Sequence, residues 1–319
     1  MLKKTLFFLL ISMVSNAQFL NRKAQLFSIE DQEEEFSDEF FCDACGCSAS
    51  GGAMGFSSLL TQQFIGIRYL QQNYRSKEGI FNNSPWNKEQ FNTIQWWARI
   101  PISKKIQLSA LIPYHHHTQE KQSTSNQIAG LGDITLMGFY SLFKKKSDSL
   151  DWQHHLQIGS ALKAPTGEYD TSNQGSVNPS FQVGTGSWDY SLLSEYIVQW
   201  KKWGLHSTLA YWIKSENEDQ YRFGNQWNYS ASVFYSFNKS WGFIIPQIGI
   251  AGEQYENNEQ FSIVVPKTSG EILFGRIGTE IAYKNWHIGV QWLEPITQNL
   301  TGGIVEANNR WSMNINYGF

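Results

Sequence analysis

The end of the chain alternates strictly between apolar and polar side chains, and this pattern constrains the fold more than any other feature. One parity is apolar at every position: Trp311, Met313, Ile315, Tyr317 and Phe319. The other parity is polar or small: Arg310, Ser312, Asn314, Asn316 and Gly318. Successive side chains of a β-strand point to opposite faces, so the pattern predicts a strand with one apolar and one polar face.

The same period of two recurs along the chain. It is clear in the segments 94–100, 106–117, 227–235 and 271–283. Alternation of this kind fits a soluble β-sandwich with its apolar faces inward, or a membrane barrel with its apolar faces outward. The connections between the segments distinguish the two.

These connections alternate in length. Short and often basic turns lie at 103–105, 144–149, 200–204, 238–240 and 284–285. Longer polar stretches lie at 75–88, 118–129, 165–187, 215–224, 255–269 and 297–306. Trp203, Trp241 and Trp286 sit beside short turns. Short periplasmic turns, longer outer loops and aromatic girdles are typical of an outer-membrane β-barrel.

The sequence therefore predicts an all-β fold, a transmembrane antiparallel up-and-down β-barrel of about 12 strands with a short irregular N-terminal arm. The predicted strands are 61–74, 89–102, 105–117, 130–143, 150–164, 188–200, 204–215, 225–237, 241–254, 270–283, 285–296 and 307–319. The even count places both chain ends in the periplasm. Within the irregular stretch 165–187, Phe181-Gln182-Val183 is interpreted as an extended strand that rises above the membrane.

The composition excludes several other classes of protein. A balance of 25 Lys+Arg against 28 Asp+Glu gives a net charge of −3, which disfavours a nucleic-acid partner. Aromatic residues make up 15% of the chain, which argues against disorder. Beyond the N-terminus, no apolar run approaches the roughly 20 residues of a transmembrane helix.

The first 60 residues differ from the rest of the chain. Residues 1–17 combine Lys3-Lys4, an apolar run and a small-residue site ending at Ala17, which are the features of a signal peptide for Sec-type secretion. Residues 18–60 form an acidic and Cys-containing arm, which we expect in the periplasm. Residues 61–319 are assigned to the barrel, and the protein to the bacterial outer membrane.

Three glycine-rich stretches carry a resemblance to a known family. They are Gly130-Leu131-Gly132-Asp133-Ile134, Lys163-Ala164-Pro165-Thr166-Gly167 and Gly184-Thr185-Gly186-Ser187-Trp188-Asp189. Their order and spacing resemble the outer-membrane transporters grouped under the label meta-pathway of phenol degradation, over residues 61–319. The resemblance implies a barrel and the passage of a small molecule. The last strand, ending in Phe319, looks like the C-terminal signature of outer-membrane barrels, which implies recognition by the barrel assembly machinery.

Eleven polar residues fall on the parity expected to line the lumen. They are Arg68, Arg99, Asp133, His155, Lys163, Glu195, His206, Lys214, Arg276, Glu280 and His287. Such side chains either select a solute by charge or fill the interior as a structural ion-pair network. About twelve strands lie between a filled eight-stranded barrel and a wide porin, so we expect a narrow channel, open or partly plugged by the arm.

Two groups of residues are candidate metal ligands. Cys42, Cys45 and Cys47 can bind a soft ion such as Cu(I), or supply three of the four ligands that a zinc site needs. A disulfide with one thiol left over is the alternative in an oxidising compartment. His115 and His117 share one strand face, where they either bind a metal or form a polar strand end.

These features together predict an outer-membrane channel or porin-like transporter for a small solute, in contact with outer-membrane lipid and linked to soft-metal handling through the cysteines. A barrel-wall enzyme of phospholipase type and a structural or plugged barrel without transport are the alternatives. No nucleophile, base and orienting group are tied together by spacing, so no catalytic residue is assigned and an enzyme is not expected.

Overall fold

The structure is a computed structural model that describes residues 63–77, 85–121, 123–147, 152–169 and 181–319. The predicted signal peptide, the arm and the three cysteines lie outside these residues. The described strands are β1 (Phe64–Lys77), β2 (Trp86–Pro101), β3 (Ile106–Glu120), β4 (Ser125–Leu131), β5 (Ile134–Ser147), β6 (Trp152–Ala164), β7 (Asp189–Trp200), β8 (Trp203–Ile213), β9 (Tyr221–Arg222), β10 (Gln226–Tyr235), β11 (Phe237–Lys239), β12 (Gly242–Tyr255), β13 (Glu259–Gln260), β14 (Ile263–Val264), β15 (Gly270–Tyr283), β16 (Trp286–Leu300) and β17 (Val305–Gly318).

Twelve of these strands close into one antiparallel barrel. The order round the wall is β1, β2, β3, β5, β6, β7, β8, β10, β12, β15, β16 and β17. The last strand returns to pair with the first, with Ile67 opposite Ile315. Each predicted segment overlaps one of these strands, so the predicted barrel and its strand count are confirmed.

The wall separates an apolar outer face from an interior that is mostly polar. Ile65, Leu192 and Ile248 expose 61%, 63% and 64% of their surface, whereas Arg310 and Asn316 of β17 expose 0%. A continuous apolar surface of this extent is stable against lipid rather than water. The barrel therefore spans an outer membrane, as the sequence predicts.

The two ends of the barrel differ in their connections. One end, called the short-turn end, carries turns such as 201–202 and 284–285, together with the start of β1. At the other end, called the long-loop end, β3 continues beyond the wall and pairs with β4. There β9, β13 and β14 form a separate small sheet. Strand pairing thus extends into stretches that the sequence predicts only as polar loops.

The small sheet is held by its own polar contacts. Arg222 Nε donates a hydrogen bond of 3.1 Å to Glu259 Oε2. Asn258 Nδ2 donates to the Tyr221 hydroxyl oxygen at 2.7 Å. Burial raises the pKa of Tyr221 to about 12, so this phenol stays neutral at physiological pH. The sheet is an ordered cap on the long-loop end rather than an extended chain.

The connection between β16 and β17 is irregular. Their ladder is interrupted between Leu293 and Leu300, and the Gln298 amide replaces the missing contacts with hydrogen bonds of 2.9 and 2.6 Å to the backbone of Ala307. The one helical element in the described residues is the short 3-10 turn Thr301–Gly303. No helix in this part of the chain is both long enough and apolar enough to span a membrane.

Two apolar clusters lie inside the barrel, where the sequence predicts only polar side chains. The first apolar cluster contains Leu70, Tyr74, Phe91, Phe181, Ala251, Ile272, Phe274, Leu293, Leu300, Val305 and Ala307. The second apolar cluster contains Phe64, Trp97, Leu111, Met137, Phe139, Ala161, Leu193, Ala210 and Trp212. The strand residues of both clusters lie on the interior parity, so the interior contains apolar as well as polar zones.

Candidate functional site in the barrel interior

The three glycine-rich stretches, distant in sequence, converge on the carboxylate of Asp133. Its Oδ2 atom accepts hydrogen bonds from the Thr185 backbone N–H at 2.9 Å and the Thr185 hydroxyl at 2.8 Å. Its Oδ1 atom accepts one from the Gly167 N–H at 3.0 Å. Lys163 Nζ lies 3.1 Å from Oδ2. One carboxylate thus joins residues from all three stretches.

A second carboxylate extends this group into a buried ion cluster. Lys163 Nζ lies 2.6 Å from Asp189 Oδ2, and both side chains have 0% exposure. Lys214 Nζ approaches the same oxygen at 3.2 Å. We name Asp133, Lys163, Asp189 and Lys214 the ion cluster. Its two lysines and two aspartates balance in charge, which is what makes burial of four ionised groups tolerable.

Close backbone approach explains two of the glycines. A Cβ atom on Gly184 would lie 2.5 Å from the carbonyl carbon of Gly167, and one on Gly167 would lie 2.9 Å from the Gly184 Cα. Any larger residue at either position would push the two backbones apart. The glycines therefore allow the second and third stretches to lie against each other beside Asp133.

The ion cluster holds residues 181–187, the inward segment, inside the barrel at the long-loop end. Phe181, Gln182 and Thr185 expose 2%, 3% and 0% of their surface. The Phe181 ring packs edge-on against Phe91 of β2, with 6.0 Å between ring centroids. The interpretation of Phe181-Gln182-Val183 as a strand above the membrane is therefore wrong, since these residues form no strand and are buried in the interior.

A second ion pair crosses the interior beside the first apolar cluster. Arg310 Nη2 donates to Glu253 Oε2 at 3.1 Å. The guanidinium also lies 4.3 Å from the centroid of the Phe274 ring, within the range of a cation–π contact. The Tyr74 hydroxyl accepts a further hydrogen bond from Arg310. This pair braces β17 against β12 and places an aromatic surface next to a charge.

Further interior contacts lie closer to the short-turn end. Arg68 Nε donates to Gln95 Oε1 at 3.0 Å. His206 Nε2 lies 3.4 Å from Glu195 Oε1. The His155 Nε2 atom is 2.9 Å from the Ser141 hydroxyl. Polar contacts between neighbouring strands thus line this part of the lumen.

All eleven residues assigned to the lumen from the sequence are buried. They are Arg68, Arg99, Asp133, His155, Lys163, Glu195, His206, Lys214, Arg276, Glu280 and His287. Asp133, Lys163 and Lys214 come together in the ion cluster, while Arg99, Arg276 and Glu280 lie elsewhere on the interior wall. Whether they contact a solute stays a prediction.

Sequence reasoning missed four interior residues that matter to this arrangement. Thr185 and Asp189 stand in the third glycine-rich stretch, and Arg310 stands on the polar parity of the last strand. Their places in a glycine-rich stretch and on the polar parity could have indicated that these three residues lie inside the barrel. Glu253 carried no comparable signal, because its partner Arg310 is 57 residues away in the chain.

The two histidines proposed as metal ligands lie side by side in the interior. The ring centroids of His115 and His117 are 4.9 Å apart, and His115 Nδ1 is 2.9 Å from the Thr93 hydroxyl. Among the residues that the structure describes, no group of three or more His, Cys, Asp or Glu side chains is arranged to hold a metal ion. Metal binding by His115 and His117 stays a prediction, and Cys42, Cys45 and Cys47 lie outside the described residues.

Comparison with known proteins agrees with this architecture. The model of the family described as "Putative MetA-pathway of phenol degradation" matches residues 91–265, which include all three glycine-rich stretches. No curated protein matches the sequence significantly.

Two solved structures share the fold. An outer membrane channel from Pseudomonas putida F1 is 14% identical, with a TM-score of 0.61 over 82% of this chain and 97% of that chain. The beta domain of the Bordetella autotransporter BrkA is 8% identical, with a TM-score of 0.50 over 81% of this chain and 100% of that chain. At these identities the likeness shows the barrel fold alone.

Proposed function

Because the chain belongs to the family described as "Putative MetA-pathway of phenol degradation", we propose that this outer-membrane barrel is a channel for a small solute. The observation that carries the proposal is the convergence of the three glycine-rich stretches on the ion cluster. They fasten the inward segment inside the lumen, where a fixed obstruction sets the size and chemistry of what passes. In the barrel pattern the long-loop end faces outward, so the obstruction stands near the entry.

The chemistry of the interior favours a small solute with both apolar and polar parts. Phe91, Phe181 and Phe274 of the first apolar cluster present aromatic rings to the interior. The Arg310–Glu253 pair lies directly beside them. These side chains are buried, so a pathway that opens beside them would offer stacking and apolar contact together with hydrogen bonds, which suits a compact organic molecule better than a large hydrophilic one.

Conductance and solute uptake test this proposal. Replacing Asp133 by Asn removes the negative charge that accepts hydrogen bonds from Thr185 and pairs with Lys163. We expect the inward segment to loosen and single-channel conductance in planar bilayers to rise several-fold. Liposomes containing the variant should also take up phenol-sized solutes faster than liposomes containing the wild type.

Glu259→Gln provides the matched control. It also removes one carboxylate, but from the small sheet at the long-loop end, where Glu259 pairs with Arg222. We expect this variant to conduct as the wild type does. A barrel that neither conducts nor takes up solute, in wild type and in Asp133→Asn alike, would contradict the channel and favour a structural or plugged barrel.

We also propose that Cys42, Cys45 and Cys47 bind a soft metal ion, with Cu(I) preferred over zinc. Three thiolates satisfy Cu(I) without a fourth ligand, and the acidic run at residues 30–35 raises the local concentration of cations. The reduced full-length protein should bind one Cu(I), and Cys45→Ser should weaken that binding strongly. A stable disulfide in protein isolated from membranes, with metal far below one ion per chain, would contradict this second proposal.

A further inference from the structure

Aromatic side chains face the lipid at the short-turn end, where β11, β12, β15 and β16 meet their turns. Trp241, Tyr283 and Trp286 expose 44%, 49% and 50% of their surface. The ring centroids of Trp241 and Tyr283 are 6.5 Å apart, and Tyr283 lies directly opposite Trp286 in the β15–β16 ladder. Exposed aromatic rings at strand ends mark the level of the lipid headgroups.

Lys284 lies at this level, in the turn between Tyr283 and Trp286. Its side chain is exposed, and its Nζ atom is 5.3 Å from the centroid of the Tyr283 ring, within the range of a cation–π contact. The ammonium group is therefore held beside an aromatic ring that contacts lipid.

The backbone of Lys284 is in the left-handed region, with φ of 53°. Asn and Gly adopt this conformation in a two-residue hairpin turn more readily than Lys does. Lys201 repeats the arrangement, with φ of 52° and Nζ 5.3 Å from the ring centroid of Trp200. A lysine in a backbone position that favours other residues points to a role for its charge.

Lys239 brings a second positive charge to the same face. It is exposed and lies on the parity of Phe237, which exposes 43% of its surface to the lipid side. It pairs with Gly242 of β12, and β12 pairs in turn with β15. Lys239 and the end of β15 are therefore about 10 Å apart across the sheet. We name Lys239, Trp241, Tyr283, Lys284 and Trp286 the lysine–aromatic patch.

Exposed negative charge is scarce around this patch. In residues 235–245 and 279–289 the one acidic side chain is Glu280, which is 2% exposed and faces the interior. The C-terminal carboxylate of Phe319 follows Gly318, whose carbonyl oxygen accepts a hydrogen bond of 2.8 Å from Asn285 Nδ2. The two lysines leave the patch positive even when this carboxylate is counted.

We infer that the lysine–aromatic patch binds the headgroup of an anionic phospholipid. In the barrel pattern the short-turn end faces the periplasm, so the patch meets the periplasmic leaflet of the outer membrane. Lysine ammonium groups donate charge-assisted hydrogen bonds to phosphate oxygens. Ile248 and Ile277 are opposed on the same outer face and expose 64% and 55% of their surface, which offers the acyl chains a contact that a soluble anion does not need. Lipid binding at this patch requires no open lumen, so the inference does not depend on the channel.

Native mass spectrometry of the full-length protein in a neutral detergent tests the inference, with dioleoylphosphatidylglycerol and dioleoylphosphatidylcholine as probes. We expect the wild type to bind the anionic lipid more tightly than the zwitterionic one. Lys284→Asn should lower the affinity for phosphatidylglycerol about fivefold, the value of one lysine beside an anionic lipid. Asn suits the left-handed turn, so this variant should fold at least as well as the wild type. Equal affinity of the wild type for both lipids, or unchanged phosphatidylglycerol binding in Lys284→Asn, would overturn the inference.

Lys267→Asn is the matched control. Lys267 is also exposed and also has a left-handed backbone, with φ of 63°, but it lies at the long-loop end, between β14 and β15. This variant should bind phosphatidylglycerol as the wild type does, and Lys284→Arg should retain binding because it keeps the charge. An equal loss in Lys267→Asn and Lys284→Asn would show a general effect of net charge and contradict a site at the patch. Heat-modifiability gels establish that each variant is folded.

A soluble competitor separates a lipid site from a site for free phosphate. Glycerol 3-phosphate carries the phosphate of the headgroup without acyl chains. At the concentration of the lipid it should leave the phosphatidylglycerol adducts of the wild type in place, because it makes no contact with the apolar wall. Displacement of the lipid at that concentration would assign the patch to a soluble phosphate and contradict the lipid site.

Discussion

The two ends of the barrel place lysines in different surroundings, buried at one end and exposed at the other. Near the long-loop end, Lys163 and Lys214 are matched by two aspartates at distances of 2.6 to 3.2 Å, and the group holds the chain in place. At the short-turn end, Lys104 and Lys144 are exposed. Buried charge has to be balanced by the protein, and there it fastens structure, whereas exposed charge is solvated by water.

Removing the central cation of the ion cluster should have the largest effect. Lys163→Met leaves the Asp133 and Asp189 carboxylates buried without their shared partner, because Lys163 contacts both. Loss of one member of a buried ion pair costs about 3–5 kcal/mol. Denaturant unfolding in detergent should show a fall of this order in the free energy of unfolding.

The same Lys→Met substitution at the short-turn end tests whether buried and exposed lysines differ in their contribution to stability. Lys144→Met removes an exposed lysine of β5. We expect its free energy of unfolding to stay within about 1 kcal/mol of the wild type. Equal destabilisation by Lys163→Met and Lys144→Met would show that buried and exposed lysines contribute equally to stability.

The next largest effect is expected where two backbones meet in the same region. In Gly184→Val, the new Cβ would lie 2.5 Å from the Gly167 carbonyl carbon, and neither backbone can yield as a flexible side chain would. Overpacking of this kind costs about 1–3 kcal/mol. The variant should unfold at lower denaturant concentration and should conduct more than the wild type. The reason is that the second and third glycine-rich stretches could no longer pack together and hold the inward segment in place. Gly138→Val in β5 is the control, since its φ is not positive and its new Cβ would meet nothing closer than Leu108 Cδ2 at 3.6 Å.

The fold and the residues that face the interior were largely predictable from the sequence, and the contacts among those residues were not. Alternation in the segments ending at Phe319 depends on the local pleat and on the lipid outside, so it can be read from neighbouring residues. The ion cluster instead joins Asp133 to Thr185 and Lys163 to Asp189, contacts that alternation does not encode. Phe181 shows the limit most clearly, since a local pattern cannot tell a strand above the membrane from a segment folded into the lumen.

The C-terminal strand offers a smaller effect, on assembly. Phe319 follows β17 and exposes 46% of its surface on the parity shared with Tyr317 and Ile315. Phe319→Ser removes aromatic surface from the lipid side, which is worth about 1.5 kcal/mol, and alters the residue that ends the predicted recognition signal. The fraction of folded barrel in heat-modifiability gels should fall. An unchanged fraction of folded barrel would show that assembly does not depend on Phe319.

The smallest effect is expected from an ion pair outside the membrane. Arg222 and Glu259 join β9 to β13 with side chains that are 27% and 28% exposed, so water screens their attraction. Such partly exposed pairs contribute about 0.2–1 kcal/mol. Arg222→Gln should therefore change the free energy of unfolding by less than 1 kcal/mol on this scale, and its contribution should shrink further in high salt. Conductance should stay at the wild-type value, because Arg222 is not among the partners of Asp133 that fasten the inward segment. A rise in conductance in Arg222→Gln, like the rise expected in Asp133→Asn, would contradict this prediction. The small sheet would then form part of the obstruction together with the inward segment.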